Sequence, residues 1–196
     1  MLLRARGLQR AGIGPLDLDL PAGRCVGLSG PSGSGKTLLL RMLADLDPHD
    51  GEVSLDGAAQ ADVAPSAWRR QVAMLGAESR WWAPTVGAHF AGGEIPLSGA
   101  LGFDADPAGW SVDRLSTGER ERLALARVLA LAPRVLLLDE PTANLDEANT
   151  ARVERVVGEW LAQDGRGVLW VSHDLGQLAR VAHVRCALDE GRWTTA

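Results

Sequence analysis

Apolar and polar positions alternate through Pro15-Leu16-Asp17-Leu18-Asp19-Leu20, the period-two pattern of a strand with one buried face, and Met1 to Leu20 reads as two strands followed by a turn at Pro21-Ala22-Gly23. A short apolar run, Cys25-Val26-Gly27-Leu28, and a helix-forming run, Leu38 to Ala44, flank a Gly/Ser-rich loop. Turn residues at 47–51 and at Asp56-Gly57 bracket the strand Glu52 to Leu55, an antiparallel hairpin edge in which His49 is a solvated turn residue. Trp68-Arg69-Arg70 leads into a buried strand, Gln71 to Leu75, and a loop from Gly76 to Pro84 carries the adjacent Trp81 and Trp82. Residues Ala91 to Trp110 are rich in Gly, Ala and Pro and predict a small irregular insert.

The second half changes rhythm. Leu123, Leu125, Ala126, Val128 and Leu129 recur at helical spacing between Thr117 and Leu131, and Pro133 ends that helix. Val135-Leu136-Leu137-Leu138 is continuously apolar, as in a strand buried on both faces of a parallel sheet. A helix over Glu147 to Gln163, a buried strand over Gly167 to Val171, a helix over Leu175 to Val181, and strands around Val184 to Leu188 and Arg192 to Thr195 complete the chain. Strand and helix alternate as in βαβ units, which predicts an α/β fold built on a mostly parallel sheet.

The chemistry begins at Gly30 to Thr37, GPSGSGKT, which fits the phosphate-binding loop pattern and lies between a strand and a helix as that pattern requires. Glycines let backbone amides close around phosphates, and the helix start at Lys36, Thr37 and Leu38 directs unpaired N–H groups toward an anion. Lys36 can reach β/γ-phosphates and the Thr37 hydroxyl can ligate Mg²⁺. Asp139-Glu140 and His173 stand just beyond the C-terminal ends of two buried strands, the edge where open α/β sheets bind ligands.

Composition narrows the setting. The 196 residues suffice for one compact unit, 1–196, and no apolar run is long enough to cross a bilayer. No signal peptide is seen at Met1-Leu2-Leu3-Arg4, so a cytoplasmic chain that reaches a membrane through another polypeptide is expected. The net charge of −5, without a long basic run, argues against a nucleic-acid partner. Cys25 and Cys186 fall in apolar segments and read as buried thiols without chemistry.

Five motifs in four segments, taken in order, resemble the nucleotide-binding domain of ATP-binding cassette (ABC) proteins: the phosphate loop, Leu115-Ser116-Thr117-Gly118-Glu119, Val135 to Asp146 (VLLLDEPTANLD), and Val171-Ser172-His173-Asp174, the third segment holding both a Walker B strand and a D-loop. The resemblance implies a P-loop NTPase fold with a mixed parallel core sheet, an N-terminal antiparallel β subdomain and a short helical insert over 77–115, and ATP with Mg²⁺ as ligands. It implies that Gly30, Pro31, Ser32, Gly33, Ser34, Gly35, Lys36, Thr37 and Leu38 hold ATP, that Thr37 and Asp139 hold the metal, and that Glu140 is the general base with Lys36 and His173 at the γ-phosphate. Ser116 and Gly118 would bind the γ-phosphate of ATP held by a second copy, so that two chains close head to tail around two ATP. A separate transmembrane permease would be the second partner, with the chain peripheral on the cytoplasmic face of the membrane. Among ABC ATPases the short insert and the RRQV, LDEANT and VLWVSHD segments are most similar to small stand-alone metal (iron) exporter ATPases. The rival classes are a soluble ABC ATPase acting on nucleic acid or ribosomes and a degenerate cassette that binds nucleotide and only regulates.

Three positions depart from the family pattern. Ala77 stands where a Gln is usual, with Glu78 the nearest substitute, facing the site or not. No aromatic lies among Leu8 to Gly12 to stack on adenine, which leaves Arg10 either stacking as a planar guanidinium or solvated. Thr117 and Glu119 replace Gly and Gln in the signature. Trp81 and Trp82 lie in the loop that faces the membrane partner in the resembling family; one is expected to pack internally and at least one to anchor that partner.

Overall fold

The computed structural model describes residues 1–194. Two sheets organise it. In the first, β1 (Leu3–Arg10), β2 (Ile13–Leu20), β4 (Asp50–Leu55) and β5 (Ala58–Ala59) form an antiparallel layer in the order β2-β1-β4-β5. The alternation in β2 is the reason: Leu16, Leu18 and Leu20 are buried while Pro15, Asp17 and Asp19 face solvent. The second sheet comprises β3 (Arg24–Ser29), β6 (Val72–Leu75), β7 (Val135–Asp139), β8 (Gly167–Val171), β9 (Val184–Asp189) and β10 (Arg192–Thr194), in the order β10-β9-β3-β8-β7-β6. All its neighbouring pairs are parallel except β9 with β10.

The continuous apolar run of β7 serves two cores at once. Leu136 and Leu138 join the cluster formed with α3 (Thr117–Leu129) and α4 (Glu147–Leu161), whereas Val135 and Leu137 join the cluster formed with α1 (Lys36–Leu43) and the antiparallel sheet. Successive residues of a strand point to opposite faces, so a strand between two apolar layers has no polar position to spare. A last helix, α5 (Leu175–Val181), packs on β3.

Several local expectations change. A short helix, α2 (Pro65–Gln71), opens on Pro65 where the sequence shows only a lead into β6. Its seven residues are too few for a periodic signal, and its reason for existing is tertiary: Trp68 is fully buried and its indole N–H donates to the Leu43 carbonyl at 2.9 Å, closing the end of α1. The insert is irregular, as its Gly, Ala and Pro content predicts: it contains no α-helix before α3, and four 3₁₀ turns, Gly87–His89, Ala91–Gly93, Pro107–Gly109 and Val112–Arg114, fold Val86, Leu101 and Phe103 into the core. Helix α4 ends at Leu161 rather than Gln163, and Thr195 lies outside the described residues. His49 is half-buried, with Nε2 2.7 Å from Gln60 Oε1, so it ties a turn rather than merely being solvated. Cys25 is buried and free, its thiol pushed by burial up to about 12, and Cys186 is free but only half-buried, its thiol pushed up to about 11.

Candidate functional site

A cavity of about 680 Å³ opens at the C-terminal edge of the parallel sheet, lined by residues 32–38, Ala77, Asp139, Glu140 and His173. Three chain segments far apart in sequence meet there because β3, β7 and β8 are adjacent and parallel, so their following loops emerge side by side.

The phosphate loop takes its form from glycine. Gly30 has φ 145° and an added Cβ would collide with the Leu188 carbonyl; Gly35, at φ 102°, would collide with Ile13. Gly35 caps α1 without any side-chain hydrogen bond, and no acidic residue stands in the first turn. The first amides of α1 are therefore left for an anion. Ser34 Oγ is buried with no hydrogen-bond partner among the described residues, a donor that a phosphate oxygen would satisfy. Lys36 is buried, its Nζ donating to the carbonyls of Gly30 and Pro31 at 2.8 Å each. Burial lowers its ammonium pKa, and the charges of Glu140 and Asp139 oppose that shift. Thr37 Oγ1 donates to Asp139 Oδ2 at 2.7 Å, which places a hydroxyl and a carboxylate oxygen together as hard ligands suited to Mg²⁺.

Glu140 follows β7 with φ 52°, a left-handed conformation costly for a residue with a side chain, fixed by its amide donating to Val171 O at 3.2 Å. Its Oε1 stands 3.4 Å from His173 Nε2, too far for a good hydrogen bond, and has no hydrogen-bond partner among the described residues. Burial raises its carboxyl pKa above the usual range, with the His173 amide and ring pulling the other way. A carboxylate held half-desolvated and under-bonded beside a phosphate loop is a suitable base for a water proton.

Ser116 and Gly118 do not line this cavity. They sit at the start of α3, where Ser116 N and Oγ both donate to Glu119 Oε2, at 2.8 and 2.7 Å, and Glu119 N donates back to Ser116 Oγ at 3.3 Å. Gly118 packs against the D-loop: a Cβ there would lie 3.1 Å from Leu145.

Two of the departures now have positions. Ala77 lines the cavity and Glu78 is exposed outside it. Arg10 donates to the Pro48 carbonyl and does not line the cavity. Ala11, Gly12 and Ile13 line that side instead, together with Glu190 and Gly191 of the β9–β10 turn. Gly191 N donates to Ser34 O at 3.1 Å, so this turn buttresses the phosphate loop; no local signal marks it, because sheet pairing brings it there.

The family model described as ABC transporter matches residues 13–143. The chain belongs to the ABC transporter family. It is an ABC-type ATPase cassette with ATP as its nucleotide and Mg²⁺ as the accompanying metal. It is 38% identical to the rice (Oryza sativa subsp. japonica) protein STAR1 over 96% of this chain and 60% of that protein, and so spans less than two thirds of that relative. It is 37% identical to a hemin import ATP-binding protein of Nocardia farcinica over 97% of this chain and 75% of that one. A solved ATP-binding subunit of an ABC transporter superposes with a TM-score of 0.89 at 21% identity, covering 100% of this chain and 89% of that chain, which shows a shared fold.

Beyond the motifs, the cassette uses residues that sequence reading did not select. Buried Gln177 donates to Thr142 Oγ1 at 2.9 Å and Glu154 Oε1 at 3.0 Å, and accepts from Trp170 Nε1 at 3.3 Å, bracing the segment after Glu140 against α5. His89 Nε2 accepts from the amides of Trp82 and Ala83, both at 3.0 Å, and Arg127 stacks over both indoles. Trp81 packs against the core, while Trp82 is 72% exposed.

Proposed function

We propose that this cassette is the ATP-hydrolysing subunit of a transporter, that two copies close head to tail around two ATP, and that closure drives a separate transmembrane permease. The observation that carries the reading is the division of the site: the residues suited to binding and hydrolysis share one cavity, while Ser116 and Gly118 lie outside it on α3. A single chain then offers half of each phosphate site, and a second copy supplies the rest. Residues 1–196 are read as one unit, with 77–115 as its shortened subdomain.

Within the cavity, the loop amides of 32–37 bind the phosphates and Lys36 swings from the Gly30 and Pro31 carbonyls to the β/γ-phosphate oxygens. Thr37 and Asp139 would hold Mg²⁺, which supplies charge neutralisation on the transferred phosphoryl group. Glu140 takes the proton of the attacking water, and His173 holds the γ-phosphate side of the cavity. The Trp82 face is read as the anchor for the permease, because an exposed indole stacked on Arg127 offers a rigid aromatic contact. No helix among the described residues is long and apolar enough to cross a membrane, in keeping with a cassette that reaches the cytoplasmic face of the membrane through that partner. The relatives carry names tied to unlike cargoes, which supports the transporter class and leaves the cargo open.

The test is the mass of the Glu140→Gln chain by light scattering. It should be monomeric alone and dimeric with Mg-ATP, since a ligand bound only by the assembled state stabilises it. A variant that binds ATP and stays monomeric at high concentration overturns the shared site.

A further inference from the structure

The start of α3 is already occupied by an anion. In a full capping box, Glu119 Oε2 accepts from both Ser116 N and Ser116 Oγ, donors of the Ser116–Gly118 segment that the shared-site reading gives to the phosphate of a second copy. These two hydrogen bonds hold the Glu119 carboxyl below its usual pKa, so it stays ionised at neutral pH. A phosphate cannot take the same donors while a carboxylate sits on them, because acceptor-only groups compete for one set of N–H and O–H bonds and repel one another. Glu119 must therefore leave before the interface can close.

The structure provides a place for it to go. A cavity of about 480 Å³ lies beside the helix start, lined by Gly109, Trp110, Ser111, Arg114, Leu115 and Glu119. Arg114 is exposed, and its guanidinium makes no hydrogen bond or ion pair among the described residues. Glu119 and Arg114 face the same space, and a guanidinium fork accepts a carboxylate in bidentate geometry.

We propose that Glu119 is a two-seat latch on the signature segment: seated on Ser116 it blocks the phosphate donors of α3, and moved to Arg114 it frees them for the ATP of a second copy. This rests on the shared-site reading above and goes beyond it, making Glu119 a positioning residue that sets how much ATP is needed for closure. Glu119→Gln keeps an oxygen acceptor for the helix cap but removes the charge, so it tests the latch without uncapping α3.

The experiment places variants in the Glu140→Gln chain and measures the Mg-ATP concentration at half-dimerisation by light scattering, with thermal midpoints as a folding control. Glu119→Gln should lower that concentration about tenfold, the order expected when a charge-assisted hydrogen bond gives way to a neutral one. Arg114→Met should raise it several-fold, and should have no effect once Glu119 is already Gln, since the two act through one contact. An unchanged or raised midpoint for Glu119→Gln, or an Arg114→Met effect that persists beside Glu119→Gln, overturns the latch while leaving the shared site standing. If the Glu140→Gln parent binds ATP and never dimerises, the shared-site reading falls and the latch falls with it.

Discussion

Two helix starts in this cassette, the phosphate loop's α1 and the α3 start proposed to meet the ATP of a second copy, are built in opposite ways. Helix α1 begins on Gly35 in a left-handed conformation, with no side-chain cap and no acid in its first turn. Helix α3 begins on Ser116 with a complete capping box and Glu119 in its first turn. An uncapped helix start leaves amides unsatisfied and attracts an anion, whereas a capped one has spent them on its own chain. The α1 end is thus prepared to bind nucleotide in the isolated chain, and the α3 end is stable until something displaces its cap. Under the shared-site proposal, this difference orders the events: one chain holds ATP first and closes on a second copy afterwards.

The comparison can be broken most sharply at α1. Lys36→Ala should abolish measurable ATP binding, because the phosphates lose their only buried ammonium among the cavity residues. Glu140→Gln should keep binding and lower turnover by about 10²–10⁴-fold, the usual contribution of a positioned base. Equilibrium binding and steady-state hydrolysis separate the two, and near-normal turnover by Glu140→Gln would remove it from the base role. The raised Glu140 carboxyl adds a pH signature: turnover should decline on the acid side at a pH above that of an ordinary glutamate, as the base becomes protonated.

Making α1 resemble α3 should have the next largest effect. Leu38 occupies the helix position in α1 that Glu119 holds in α3, and Leu38→Glu would place a carboxylate beside the loop amides. ATP affinity should fall about tenfold or more, beside a loss of thermal stability from the packing that half-buried Leu38 makes with the core; unchanged affinity in the folded variant would show that a first-turn acid does not compete with phosphate. Ser116→Ala approaches from the other side. It should cost about 1 kcal/mol of stability through the lost cap, visible in denaturant unfolding, and should weaken ATP-driven dimerisation while sparing ATP binding by the monomer. Equal loss of both would contradict the division between the two helix ends.

The smallest effect concerns acid. The Glu119 carboxyl is depressed in the folded chain, so its contribution to stability is present above the unfolded carboxylate range and is lost as pH falls through the folded value. The wild-type thermal midpoint should therefore drop slightly more between pH 5 and pH 3 than that of Glu119→Gln, by an amount kept small by solvent screening. Parallel curves would show that the box contributes nothing measurable.

What the chain reveals without its fold follows from locality. The phosphate loop, the strand ending at Asp139, the helix opening at Ser116 and the strand before His173 each carry their own period or turn chemistry within about ten residues, and each is where the pattern puts it. Two local signals were too short or too mixed to read: α2, whose seven residues form because Trp68 finds the Leu43 carbonyl, and the insert, whose 3₁₀ turns are held by Val86, Leu101 and Phe103 entering a core made by other segments. Positions that depend on meeting a distant partner were left to the tertiary structure. It turned Arg10 away to Pro48, brought the Glu190-Gly191 turn against Ser34, put Ala77 on the cavity wall and Glu78 outside it, and divided the tryptophan pair into a packed Trp81 and an exposed Trp82. The box of Glu119 on Ser116 is local by contrast, a Ser-x-x-Glu spacing at a helix start, and the structure adds that Oε2 lies 2.8 Å from the amide three residues back. Sequence spacing fixes which residues can meet along one element; which groups are then left without a partner is settled only when the elements are packed together.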